Sequence, residues 1–132
     1  MDKKKILIAD ADEEYQLSLK QILEEAGYEI LVASSIDQAL KVFHTNKPNL
    51  CIMDIMLPEP VTGGLALLNL IKKIDATTTC FIFTTLADDG KEYIAKELGV
   101  DGYYLKPVAK DTVLYIVGSG LRLQDRKKRG KI

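Results

Sequence analysis

Short apolar runs alternate along the chain with stretches whose apolar residues recur at helical spacing. ILIAD (6–10), EILVA (29–33), LCIMD (50–54), CFIFT (80–84) and GYYLK (102–106) read as strands. Leu19, Ile22, Leu23 and Ala26 fall at i, i+3, i+4 and i+7, one face of a helix, and Gly27 follows as a stop. Ser35 caps a second helix with the stripe Ile36, Ala39, Leu40 and Phe43, ended by Asn46 and Pro48. Leu67, Leu68, Ile71 and Ile74 mark a third helix. Ile94, Ala95 and Leu98 mark a fourth, closed by Gly99, and Val113, Ile116 and Val117 begin a fifth. Continuous apolar strands separated by helices imply an α/β fold with a parallel sheet covered on both faces. Right-handed crossovers leave few topologies. In such sheets functional groups gather outside the carboxyl ends of the strands.

What ends the strands is therefore informative. The first ends in Asp10, with Asp12 and Glu13 close behind. The third ends in Asp54, the fourth in Thr84 and Thr85, and the fifth in Lys106-Pro107. A carboxylate closing a buried strand loses hydration and needs a compensating partner. Clustered carboxylates raise one another's pKa, and a hard divalent cation relieves that. Magnesium prefers one or two carboxylates, several waters and a phosphoryl oxygen. A lysine supplies a point charge for phosphate, and a hydroxyl can donate to it. The parts suit phosphoryl transfer to Asp54.

Composition narrows the classes. The 132 residues fit one domain with a real core, and 47% hydrophobic with 28% charged residues is ordinary for a globular chain. Six basic residues and one acid between Arg122 and Ile132 put +5 on the tail and leave −6 on the rest of a chain whose total is −1. A basic helix end or tail is the plain reading, and direct nucleic-acid binding is not expected. Cys51 and Cys80 lie in apolar runs without metal or redox spacing and read as buried reduced thiols. His44 reads as a surface residue, with no second histidine to share a metal. No apolar run approaches a membrane span and no signal-peptide core follows MDKKK, so a cytoplasmic location without membrane contact is expected.

ILIAD-ADEE, MDIMLP, FTT and YYLKP, in this order and on these elements, resemble the receiver domain of two-component response regulators. The resemblance covers roughly residues 4 to 121. It implies a flavodoxin-like (βα)5 three-layer sandwich with a five-stranded parallel sheet in the order 2-1-3-4-5. It also implies a receiver domain over 1–121, leaving 122–132 as a basic helix end or tail. Asp54 would be the phospho-acceptor, taking phosphate from a sensor histidine kinase or phosphotransfer protein. Asp10, Asp54 and the backbone carbonyl of Met56 would hold Mg2+. Lys106 would pair with the phosphoryl group through a cis Lys106-Pro107 segment. Thr84, matched by its spacing to Lys106, and Tyr103 would form the switch pair. Signalling would run through contacts with a target protein or output domain, or through a homodimer, on the helix 4-strand 5-helix 5 face. Such a domain is not an enzyme beyond its own phosphoryl transfer and dephosphorylation.

Three features depart from or refine the family pattern. The usual second acid beside Asp10 is Ala11, which offers no ligand. Asp12 and Glu13 are the candidate replacements, although both equally suit the cap of the first helix. Weak magnesium binding is expected. The loop PEPVTGG is two residues longer than usual, with Pro58, Pro60, Gly63 and Gly64 shaping its turn. Met56 and Leu86, at positions that place the hydrolytic water in the family, are apolar, so slow self-dephosphorylation is expected. Ala11 also keeps open a second reading, a degenerate receiver acting as a phosphorylation-independent binding module. An aspartyl-nucleophile phosphatase would want an acid where Met56 stands, and no G-x-x-x-x-G-K-[ST] or G-x-G-x-x-G is present to support a nucleotide enzyme.

Overall fold

A computed structural model describes residues 3–58, 63–87 and 89–130, so the expected turn at Pro60 lies outside the described residues. Five strands form one parallel sheet: β1 (Lys5–Ala9), β2 (Glu29–Ala33), β3 (Leu50–Met53), β4 (Thr79–Thr84) and β5 (Gly102–Leu105). Their order is β2-β1-β3-β4-β5, the expected flavodoxin-like arrangement. The helices are α1 (Glu13–Glu25), α2 (Ile36–Asn46), α3 (Gly63–Ile74), α4 (Asp89–Glu97) and α5 (Lys110–Lys128).

Alternation along the strands splits the core into two layers. Leu7, Cys51, Met53, Cys80 and Ile82 face one side, where Phe43 of α2, Leu67, Leu68 and Ile71 of α3, and Ala95 of α4 cover them. Ile6, Ile8, Ile52, Phe81 and Phe83 face the other, under Leu19 and Leu23 of α1 and Val113, Val117 and Leu121 of α5. Three expected stripe positions differ. Ile74 and Ile94 are 58% and 43% exposed, and Ala26 is exposed as the C-cap of α1, with Gly27 following at φ +98°. Ile74 is the last residue of α3, and Ile94 stands beside the fully buried Ala95 on α4. Cys51 and Cys80 are register partners on β3 and β4, both buried and reduced, and burial pushes the Cys51 thiol well up. α5 continues unbroken to Lys128. Asp125 pairs with Lys4 at 2.7 Å and Lys127 with Asp101 at 3.2 Å, so part of the basic segment is tied to the body.

The start of α3 holds the backbone around Asp54. Gly64 N–H donates to the Ile55 carbonyl at 2.9 Å and Gly63 N–H to the Leu57 carbonyl at 3.2 Å. These bonds satisfy helix N–H groups that have no partner within the helix. The approach is close enough that a Cβ on Gly64 would run into the Asp54 carbonyl oxygen and stand 2.5 Å from Ile55 Cα. Both neighbours are backbone and neither can step aside. Gly64→Ala is expected to destabilise the fold by about 3 kcal/mol, read as a lower urea midpoint. Gly118→Ala, whose Cβ would meet only the Arg122 side chain at 3.5 Å, is expected to do the opposite, gaining about 0.5–1 kcal/mol from the better helix former.

Candidate functional site

Four side chains from four strand ends meet at the carboxyl edge of the sheet. Asp10 follows β1, Asp54 follows β3, Thr84 ends β4 and Lys106 follows β5. Asp10, Asp54 and Thr84 are buried, at 3%, 7% and 0% exposure. Lys106 Nζ donates to Asp10 Oδ2 at 2.6 Å and to Asp54 Oδ2 at 2.7 Å. The Thr84 hydroxyl donates to Asp54 Oδ1 at 2.7 Å, and the Met56 N–H donates to the same oxygen at 3.0 Å. The second oxygen of Asp10 accepts the Asp12 N–H at 2.9 Å. The face of the Tyr15 ring lies over the ammonium, with its centroid 4.2 Å from Nζ. The Lys106-Pro107 bond is cis, as expected, and the Lys106 N–H bonds the Thr84 carbonyl at 2.9 Å.

Two carboxylates and one ammonium leave the cluster short of positive charge. Burial pushes the Asp10 carboxyl up, and the hydrogen bonds from Lys106 and Asp12 only partly oppose it. Burial pulls Lys106 down, but its bonds to Asp10 and Asp54 outweigh this and hold the ammonium above its ordinary value. Lys106 therefore adds stability in full below about pH 10.4 and loses it as pH rises through its folded value.

The other expected residues fall in distinct places. Asp12 is the N-cap of α1, its Oδ1 accepting the Tyr15 N–H at 3.2 Å, and Glu13 is exposed in the first turn. Ala11 and Met56 are exposed at the rim. Thr85 is exposed beside the buried Thr84. Tyr103 is half-buried, and its hydroxyl donates to the Leu86 carbonyl at 2.9 Å, while the Leu86 N–H reaches Thr84 Oγ1 at 3.3 Å. Two contributors were missed in the sequence. Tyr15 stacks on Lys106. Gln16, buried, donates to the carbonyls of Asp10 and Ala33 at 2.6 and 2.9 Å and ties the loop after β1 to the end of β2. A glutamine inside the apolar stripe of α1 was the available signal for the second.

The donor set fits a magnesium ion of the kind that keeps its waters. No group of three or more histidine, cysteine or acidic residues able to hold a metal occurs among the described residues. Two buried carboxylates with excess negative charge are the ligands such an ion takes alongside a phosphoryl oxygen.

The family model of the response regulator receiver domain matches residues 6–117. The chain belongs to this family. Receiver domains of response regulators are signalling domains rather than a catalytic family, generally bind Mg2+, and interact with histidine kinases and output domains. This receiver is similar to alkaline phosphatase synthesis transcriptional regulatory protein PhoP of Bacillus subtilis (strain 168), at 32% identity over 79% of the chain and 42% of that protein. It is similar to chemotaxis protein CheY of Halobacterium salinarum, at 30% identity over 84% of the chain and 91% of that protein. Among solved structures, a CheY-like receiver domain protein from Methanospirillum hungatei JF-1 superposes with a TM-score of 0.90 at 30% identity, covering 96% of this chain and 99% of that one. The receiver spans about half or less of several relatives, 42% of PhoP and 51% of probable transcriptional regulator ycf27 of Porphyridium aerugineum. No helix among the described residues is long and apolar enough to cross a membrane.

The raised Asp10 pKa carries a sign. The folded protein holds the Asp10 proton more tightly than the unfolded chain. Stability therefore falls as pH rises from the unfolded value, about 3.9, through the folded one, and then levels. Asp10→Asn removes this titration. Its stability relative to wild type is expected to improve across that window and stay constant up to neutral pH, by urea denaturation at stepped pH. A variant that loses stability relative to wild type as pH rises would contradict the burial penalty.

Proposed function

We propose that this receiver accepts a phosphoryl group on Asp54 and signals through protein contacts. The observation that carries the reading is the shared ammonium: Lys106 bonds both Asp10 and Asp54, with the Thr84 hydroxyl on the remaining Asp54 oxygen. In the transfer an Asp54 carboxylate oxygen bonds to phosphorus. The bond from phosphorus to the donor's imidazole nitrogen, on a sensor histidine kinase or phosphotransfer protein, breaks, and its electron pair leaves with the imidazole. The product is an acyl phosphate. Lys106 and Thr84, which steady the free carboxylate, stand beside the new phosphoryl oxygens and can donate to them instead.

Asp10 and Asp54, with the Met56 carbonyl, would hold Mg2+. Once bound, the ion neutralises charge on the transferring group. Asp12 is committed to the helix cap and Ala11 offers no ligand, so affinity below the family norm is expected in a calorimetric titration. The four assembled side chains favour this reading over a phosphorylation-independent module. Thr84, the Leu86 backbone and the Tyr103 hydroxyl form one hydrogen-bonded chain away from Asp54. On α4, β5 and α5, Tyr93, Leu105 and Tyr115 are 66%, 52% and 72% exposed. A target, output domain or second copy would dock on this α4-β5-α5 face. The site works on its own acceptor and turns over no separate substrate, and a cytoplasmic setting follows from a kinase partner there.

Incubation with phosphoramidate and magnesium is expected to add one phosphoryl group to the wild type, by intact mass, and none to Asp54→Asn. Lys106→Met is expected to label about 100-fold more slowly. A folded wild type that stays unlabelled, beside a control receiver that labels, would favour the binding module. With exposed Met56 and apolar Leu86 at the rim, the label is expected to outlast seconds by a wide margin when no phosphatase is present; loss within seconds would overturn that expectation.

A further inference from the structure

Lys106 has three ammonium protons, and among the described residues two of them reach oxygen, on Asp10 and Asp54. The remaining side of the ammonium is covered by the face of Tyr15, 4.2 Å from centroid to Nζ. An oxygen acceptor there would claim the third proton. An aromatic face instead attracts the charge through its quadrupole, without an oxygen that competes with the two carboxylates. The backbone that carries the ring is fixed on two sides. The Tyr15 N–H is capped by Asp12, and the next residue, Gln16, is pinned to the Asp10 and Ala33 carbonyls.

We propose that Tyr15 is a positioning residue for Lys106: its ring face holds the ammonium between Asp10 and Asp54 and excludes water from the side that the carboxylates leave open. This rests on the reading of Lys106 as the cation that meets the phosphoryl group. A purely structural alternative exists, because Tyr15 also packs against the apolar layer beneath α1 and α5.

Two substitutions separate the roles. Tyr15→Phe keeps the ring and loses the hydroxyl, whereas Tyr15→Leu keeps apolar bulk and loses the ring. The first measurement is nuclear magnetic resonance of the Lys106 side chain without metal or phosphodonor. The ring current is expected to shift the Lys106 ε-methylene protons upfield, and ammonium exchange to be slow, in wild type and Tyr15→Phe. Both signatures are expected to vanish in Tyr15→Leu. The second is labelling by saturating phosphoramidate with magnesium, followed by intact mass. Tyr15→Phe is expected within about twofold of wild type and Tyr15→Leu about fivefold slower.

A Tyr15→Leu protein that labels at the wild-type rate, or that keeps slow ammonium exchange, overturns the proposal. So does equal slowing of both variants in step with equal losses of thermal stability, which would mark a packing role. If the wild type itself fails to label, the acceptor reading fails, and the resonance measurement alone still decides whether Tyr15 holds Lys106.

Discussion

One ammonium shared by two buried carboxylates is the interaction on which the carboxyl edge of this sheet depends. Asp10 and Asp54 sit beyond adjacent strands, and Lys106 lies beyond β5, on the far side of β4. The lysine therefore reaches across the end of β4, where Thr84 meets Asp54 from below. Remove the cation and two buried carboxylates are left unpaired, a change that typically costs about 3–5 kcal/mol. Fill the site with apolar residues instead and the fold would be as stable or more so, but chemically inert. The raised Asp10 pKa is the mark of that trade: the cluster persists at a cost in stability that the two-layer core offsets.

Backbone constraints keep the three charges in register. The first N–H groups of α3 bond the Ile55 and Leu57 carbonyls, so the helix start is tied to the backbone just after Asp54 and admits only glycine at position 64. On the other side, Gln16 binds the Asp10 carbonyl to the end of β2, and Asp12 N–H holds one Asp10 oxygen. Groups fixed in this way need little reorganisation when charge moves among them. The looser connection is the path through Thr84, Leu86 and Tyr103. Its 3.3 Å link is longer than the 2.6–2.7 Å bonds at the ammonium.

The strands and their terminal residues were legible because both signals are local. An apolar run shows a buried strand, and the residue that breaks it shows what stands at the sheet edge. Asp10, Asp54 and Lys106 stood out that way, whereas the end of the fourth strand left Thr84 beside Thr85 and only the family spacing to Lys106 chose between them. Periodicity was less reliable for burial. Ile74 and Ile94 keep the helical spacing yet are exposed, Ile74 at the last position of α3, because spacing defines a stripe without saying how far along or how wide a stripe the fold covers. Tyr15 and Gln16 were not legible as site residues. Their roles depend on the angle at which α1 leaves β1, which aims Tyr15 at a lysine 91 positions away in the chain.

That departure angle also bears on Ala11. The acid that follows Ala11 is Asp12, and one oxygen of its carboxylate already accepts the Tyr15 N–H. Drawing Asp12 to a metal would give up a helix cap worth about 1 kcal/mol, and would free the turn that carries Tyr15 over Lys106. If Asp12 were called to a metal, metal affinity and the placement of the lysine would be opposed, whereas a second acid at position 11 would leave them independent.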